Sequence, residues 1–289
     1  MPSWYLGLPL CLALWCSLTD LSRAERPRDR SEKNAVRGLT GDFDGIGFVL
    51  WISRDQAQQL LPKNPDLRLD YPGGGQRYPI VLLLGAQQDV GVQFGRGYVH
   101  PRFLKHYENA YVIVPYLRHP ALASYGYTFS RIYVSDERIV EDGTKLNHSP
   151  KVHAEIEDQS DRFVINFEGQ RRIDLAIRER PTTGNLAGGA TEGNVREASS
   201  RNSGNPPSTP DFLREVFKQP KIEFSPNPHV FDFDFMAEAS AVRPVEVSGT
   251  IILQPAAGSA AGAADIAALA PGHQVEAIHF SSHWTKKPE

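Results

Sequence analysis

Short apolar runs bounded by glycine, proline and small polar residues recur from Gly45 to Trp284. The 22 prolines and 24 glycines punctuate these runs, which favours a chain of many turns and a β-rich fold over a helical bundle. Residues 45–51 (GIGFVLW), 78–85 (YPIVLLLG) and 111–114 read as strands, and 127–134 (YTFSRIYV) alternates as a half-buried strand should. Residues 55–61 (DQAQQLL) have helical composition, with Ser53 as N-cap and Pro62 just past the end. VHAEIE, FVINFEG and RRIDLAIRE follow, with 168–170 as a polar turn, and read as an antiparallel meander. Beyond them, 229–240 puts Val230, Phe231, Phe233 and Phe235 in one aromatic strand pattern. Residues 247–255 give another strand, 265–269 a short helical turn, and 274–284 a closing strand. The fold class expected is mainly β (α+β): a predominantly antiparallel sheet with a few short helices.

Charge narrows the partners. Lys plus Arg number 31 and Asp plus Glu 34, a formal charge of −3, so the clustered basic excess that a nucleic-acid backbone requires is missing. Hydrophobic residues at 40% and charged residues at 22% fit a globular chain rather than a disordered one. Cys11 and Cys16 both lie in the first apolar segment, so thiolate catalysis, disulfides and Cys-ligated metals are excluded from the rest of the chain.

That first segment, residues 4–18, is apolar and too short for a membrane span. Residues 1–24 are expected to act as a secretory signal, giving a secreted or periplasmic protein. The alternatives are an uncleaved N-terminal anchor, the sole expected membrane contact, and a buried helix of the domain. Residues 25–40 read as a charged linker, and 41–289 as one domain. A Gly-, Ser-, Asn- and Pro-rich insertion at 181–210 has almost no large apolar residue and is expected to be flexible. If the chain enters a eukaryotic secretory route, Asn147-His148-Ser149 is a glycosylation triplet.

Common catalytic constellations are missing from the sequence. Gly73-Gly74-Gly75 lacks the Lys-Ser/Thr of a phosphate loop, and there is no G-x-S-x-G elbow. His279 and His283 lie on a strand pattern, where that spacing puts them on one face but far apart, and no metal is expected. Two segments stand out. One is Tyr107-Glu108, leading into YVIVPY, and the other is Pro150-Lys151, leading into VHAEIE.

Together with Leu60-Leu61-Pro62, Leu67-Arg68-Leu69, Ile132-Tyr133-Val134, Gly143 and Gly249-Thr250-Ile251-Ile252-Leu253, these segments occur in an order that resembles the acetoacetate decarboxylase-like superfamily. The resemblance covers most of the chain beyond its N-terminus. It implies a large curved sheet closing into a cone-like barrel. It also implies that Lys151 forms a Schiff base with a keto substrate, and that Glu108 positions substrate or water or handles a proton. The chemistry needs an uncharged amine, hence a lysine whose pKa is lowered by desolvation or by a neighbouring cation. No cofactor is implied. Three departures from the family pattern stand out. The second lysine directly after the nucleophile is Val152 here, and the turn sequence is Gly143-Thr144-Lys145. The position of the active-site arginine falls on Phe43, with Arg37 six residues earlier.

The reading is a Schiff-base lyase, or an enzyme of related carbonyl chemistry, acting on a small keto acid or other carbonyl compound. Lys151 and Glu108 are its catalytic pair, and Tyr107, Phe233 and Phe235 line the substrate site. The alternatives are a non-enzymatic binder of a small hydrophobic ligand in the same cavity and a secreted interaction domain with a filled core. Exposed sheet edges give an expectation of homo-oligomers.

Overall fold

The computed structural model describes residues 36–62, 64, 66–94, 104–140, 150–180, 207–224, 228–236, 238–256 and 264–288. The N-terminal segment, the 143–145 turn, Asn147 and most of the Gly/Ser-rich insertion lie outside them. Strand β1 (Val36–Ser53) starts within the charged stretch and runs on through the apolar run expected to be a strand. Ser53 then caps α1 (Arg54–Gln59): its side chain accepts from the Gln56 amide, while the Gln56 side chain accepts from the Ser53 amide. The strands that follow are β2 (Arg68–Leu69), β3 (Arg77–Phe94), β4 (Leu104–Arg118), β5 (Gly126–Val134), β6 (Lys151–His153) and β7 (Glu155–Gln159). The meander continues as β8 (Arg162–Phe167) and β9 (Gln170–Glu179). Glu168 and Gly169 both take positive φ between them, 52° and 71°, as a two-residue hairpin turn requires.

After α2 (Thr209–Phe217) come β10 (Lys221–Phe224), β11 (Pro228–Phe233), β12 (Glu238–Leu253), β13 (Ile266–Leu269) and β14 (Gln274–Pro288). The expected helical turn at 265–269 is therefore a strand. Ile251 registers with Leu269 and Leu253 with Ile266, so burying Ile266 and Leu269 beside β12 outweighs the helix preference of the two alanines between them. Of the described residues of the insertion, 207 and 208 lead into α2, whose first turn takes up 209 and 210. Its Phe212, Leu213, Val216 and Phe217 recur at helical spacing and are buried.

The 14 strands among the described residues belong to one sheet, ordered β1-β3-β4-β5-β10-β11-β14-β12-β9-β8-β7, with β13 paired to β12, β2 to β4 and β6 to β5 off this path. Because β1 also pairs with β14, the first part of that order curls into a ring. Most pairings are antiparallel; β5 pairs in parallel with β6 and β10. The wall is thinnest between β5 and β10, whose ladder registers Lys221 with Tyr127 alone. The fold is thus a mainly β, nearly closed barrel, extended past β14 by an outer sheet.

Two apolar cores result. The barrel core gathers inward-facing Phe43, Leu83, Tyr111, Phe129, Ile132, Phe280 and Trp284, along with the buried face of α2 and Phe233, Phe235 and Met236. A second core lies on the other face of the barrel wall, against the outer sheet. It contains Phe48, Leu82, Val112, Tyr133, Ile165, Leu175 and Val247. Alternation along each strand sorts residues between the two. Where β1 crosses β3 the backbones touch: a Cβ on Gly45 would sit 2.2 Å from the Leu84 carbonyl oxygen, and one on Gly85 2.2 Å from that of Asp44. No side chain fits at either position, and the close approach tightens the curl of the wall.

Candidate functional site in the barrel interior

The sequence-predicted residues divide between the two faces of the wall. Tyr107, Phe233 and Phe235 all belong to the barrel core. The Phe233 and Phe235 rings meet at a tilt with centroids 4.5 Å apart, and the Phe235 centroid lies 5.3 Å from that of Tyr111. Lys151 registers with Ile132, a barrel-core residue, and its neighbour Val152 packs against the second core. The pleat therefore turns the half-buried Lys151 toward the barrel interior.

Glu108 goes the other way. It alternates with Tyr107 and Asn109 and shares the face of Ala110 and Tyr133, which belong to the second core. There the Ser135 hydroxyl donates to its carboxylate at 2.5 Å and His106 Nε2 lies 3.0 Å away. Burial would raise this carboxyl, but the bonds from Ser135, its own backbone and His106 outweigh it and leave the pKa lowered. The structure does not bring Glu108 and Lys151 onto one face.

The acid that shares the interior with amines is Glu223. On β10, Lys221 and Glu223 point into the barrel while Ile222 between them joins the second core. Lys221 Nζ contacts Glu223 Oε1, and Lys286 Nζ, from β14, reaches the same oxygen at 2.7 Å. The three residues are 4%, 8% and 8% exposed for Lys221, Glu223 and Lys286, so one carboxylate is shared by two amines out of water. Lys221 Nζ also sits 4.2 Å from the Phe129 ring centroid and 5.5 Å from that of Phe233. Burial is the main force lowering the Lys221 pKa. The ammoniums of Lys286 and Lys151 push the same way, Glu223 opposes them, and the result is about 7. Burial alone would raise the Glu223 carboxyl; the two amines, Lys221 first, override it and hold it at about 2.

A polar network lies across the same interior. Gln87 Nε2 and Asn109 Nδ2 donate to the Tyr111 hydroxyl oxygen at 3.1 and 3.2 Å, and Trp284 Nε1 donates to Gln87 Oε1 at 2.6 Å. Burial raises the pKa of both Tyr107 and Tyr111, so both are neutral phenols. His279 and His283 lie outside this site. Each faces a β1 carboxylate, Asp44 at 3.7 Å and Asp42 at 2.7 Å. Among the described residues no group of three or more His, Cys, Asp or Glu is placed to hold a metal ion. A separate cleft of ≈ 650 Å³ beside α2, lined by Trp51, Arg77, His273 and Glu276 among others, contains none of the barrel's lysines.

Sequence reasoning missed Lys221, Glu223 and Lys286. KIEF alternates charged and apolar residues, the usual pattern of a strand with one wet face, and here the charged face is the dry one. The usable signal was the lone Glu223 between Lys221 and the aromatic-rich 229–235 run.

No family model matches the sequence, and no curated protein matches it. Solved structures do. The enduracididine biosynthesis enzyme MppR, complexed with the condensation product of pyruvate and imidazole 4-carboxaldehyde, superposes with a TM-score of 0.50 at 13% identity, over 89% of this chain and 90% of that one. An acetoacetate decarboxylase from Legionella pneumophila gives 0.44 at 12% identity, over 94% and 95%. An acetoacetate decarboxylase-like enzyme from Sphingomonas wittichii gives 0.41 at 13%, over 88% and 92%. At these identities the likeness is one of fold.

Proposed function

We propose that the barrel interior performs Schiff-base chemistry on a small keto acid or related carbonyl compound, with Lys151 as the amine nucleophile. The observation that carries the reading is the company this amine keeps. Lys151 registers with the barrel-core residue Ile132, and its charge acts on the buried Lys221, which sits against Phe129 and Phe233. A neutral amine adds to the carbonyl carbon, the carbonyl oxygen leaves as water, and the protonated imine withdraws electrons from the neighbouring bond. In a decarboxylation the C–C bond electrons flow into that imine as carbon dioxide departs. The sequence lacks a cation at Val152, and the buried cation of this interior is instead Lys286, paired with Glu223. The carboxylate on this interior face is Glu223 rather than Glu108, and the neutral Tyr107 and Tyr111 phenols lie on the same face.

MppR was solved with a condensation product of pyruvate, so pyruvate and acetoacetate are the first probes. Incubation with either, followed by borohydride reduction, is expected to leave a reduced adduct on the peptide containing Lys151. The adduct should disappear in Lys151→Ala. If Lys151 gains no adduct with either compound, the alternative of a hydrophobic-ligand binder, which the aromatic wall of Phe129, Phe233 and Phe235 favours, replaces the lyase reading.

A further inference from the structure

We propose that Lys221 is a second imine-forming amine of the barrel, held in neutral form by its surroundings and able to condense with the same class of small carbonyl compound. The inference rests on the barrel-interior reading above and adds a reactive residue to it.

The geometry comes first. An ammonium in an apolar interior needs its own counter-charge. Here the single oxygen Glu223 Oε1 is shared between Lys221 and Lys286. One buried carboxylate balances one ammonium, and the remaining amine is cheapest as neutral –NH₂. Of the two, Lys221 is the more deeply buried and the one set against two aromatic faces. Lys286 adjoins the end of β14 and can hold the charge while keeping Glu223 satisfied. Each element packed around Lys221 agrees with this. From β10 it faces Glu223, from β14 Lys286, and from β6 Lys151. From β5 it meets Phe129 and registers beside Tyr127, whose hydroxyl is committed to the Phe233 carbonyl. The downward shift of the Lys221 pKa has this charge balance as its cause, after burial.

A neutral primary amine beside a carboxylate and a cation has what imine formation needs. Its lone pair attacks the carbonyl carbon to form the C–N bond. Proton transfers, for which Glu223 is in reach, turn the carbonyl oxygen into departing water and leave C=N on Nζ. Lys286 then remains as counter-ion to Glu223. The overall step consumes one amine and one carbonyl and releases one water, and needs no oxidant or reductant.

The test is reductive trapping on the full chain with pyruvate and, separately, acetaldehyde as probes, using cyanoborohydride across a pH series and mapping adducts by peptide mass spectrometry. Lys218, an exposed lysine at the end of α2, is the internal reference. The expected result is an adduct on Lys221 that appears at lower pH than the one on Lys218 and rises to half its maximum near neutrality. Lys286→Met removes a neighbouring positive charge and should move that half-rise upward by about one pH unit. Glu223→Gln removes the stabilising anion and should move it downward. A purely structural role for Lys221 would give neither shift nor their opposite signs. Lys221→Met, similar in volume, should remove this adduct alone. Circular dichroism of each variant shows whether it is folded. An adduct confined to Lys151 overturns this proposal and leaves the proposed function standing. Adducts on neither residue, with Lys218 modified, overturn both. Reaction at Lys221 with the pH dependence of Lys218 overturns the neutral-amine assignment.

Discussion

Replacing Glu223 by alanine is expected to destabilise the barrel by about 3–5 kcal/mol at neutral pH, because it leaves buried positive charge with no partner. The carboxylate is 8% exposed and ties β10 to β14 through Lys286 across the barrel wall. The effect has a pH signature. The folded-state pKa of about 2 lies below the ordinary 4.5, so the stabilisation is fully present above the ordinary carboxylate range and is lost as pH falls toward 2. Urea unfolding of both proteins at neutral pH and again near pH 3 checks this. The gap between wild type and variant should narrow in acid. A variant as stable as wild type at neutral pH would show that Glu223 does not carry the charge balance of the interior.

A comparable loss, about 3–5 kcal/mol, is expected for Phe235→Ala. This ring is fully buried at 0% exposure. Its centroid lies within 5.7 Å of Phe43, Tyr111, Phe217 and Phe233, so it touches β1, β4, α2 and the end of β11 at once. Deleting it removes transfer energy and leaves a cavity that the barrel wall, fixed by its hydrogen-bond ladder, cannot close. Equilibrium denaturation gives the loss directly. A change below about 1 kcal/mol would mean that the interior collapses around the gap and that Phe235 is not a packing centre.

Much of this architecture is legible in the residues. The apolar runs at 45–51, 78–85 and 127–134, the Ser53 cap and the Glu168-Gly169 turn all sit inside the elements they announce, because each depends on local chemistry. What the sequence does not reveal depends on distant partners. Ile266 to Leu269 becomes a strand because β12 offers it an edge, and no local propensity encodes that edge. The helix at Thr209–Phe217 follows directly on a stretch of small polar residues, so its apolar positions 212, 213, 216 and 217 are hidden behind that composition. The site divides the same way. Tyr107, Phe233 and Phe235 all lie in the barrel core. The carboxylate that joins the amines, Glu223, is 115 residues further along the chain than the one chosen by motif, Glu108, because strand order and pleat decide which acid faces inward. Lys286 is more remote still, and it meets Glu223 only because the sheet curls far enough to bring β14 beside β11.

The strand that carries Lys221 and Glu223 is joined to β5 by one registered residue pair, supported by the Tyr127 amide donating to the Pro220 carbonyl and the Thr128 hydroxyl to that of Ile222. So few stitches part at far lower free energy than the long ladder between β1 and β3. Local opening of the wall is therefore expected first at this seam, beside the strand that carries the buried amines.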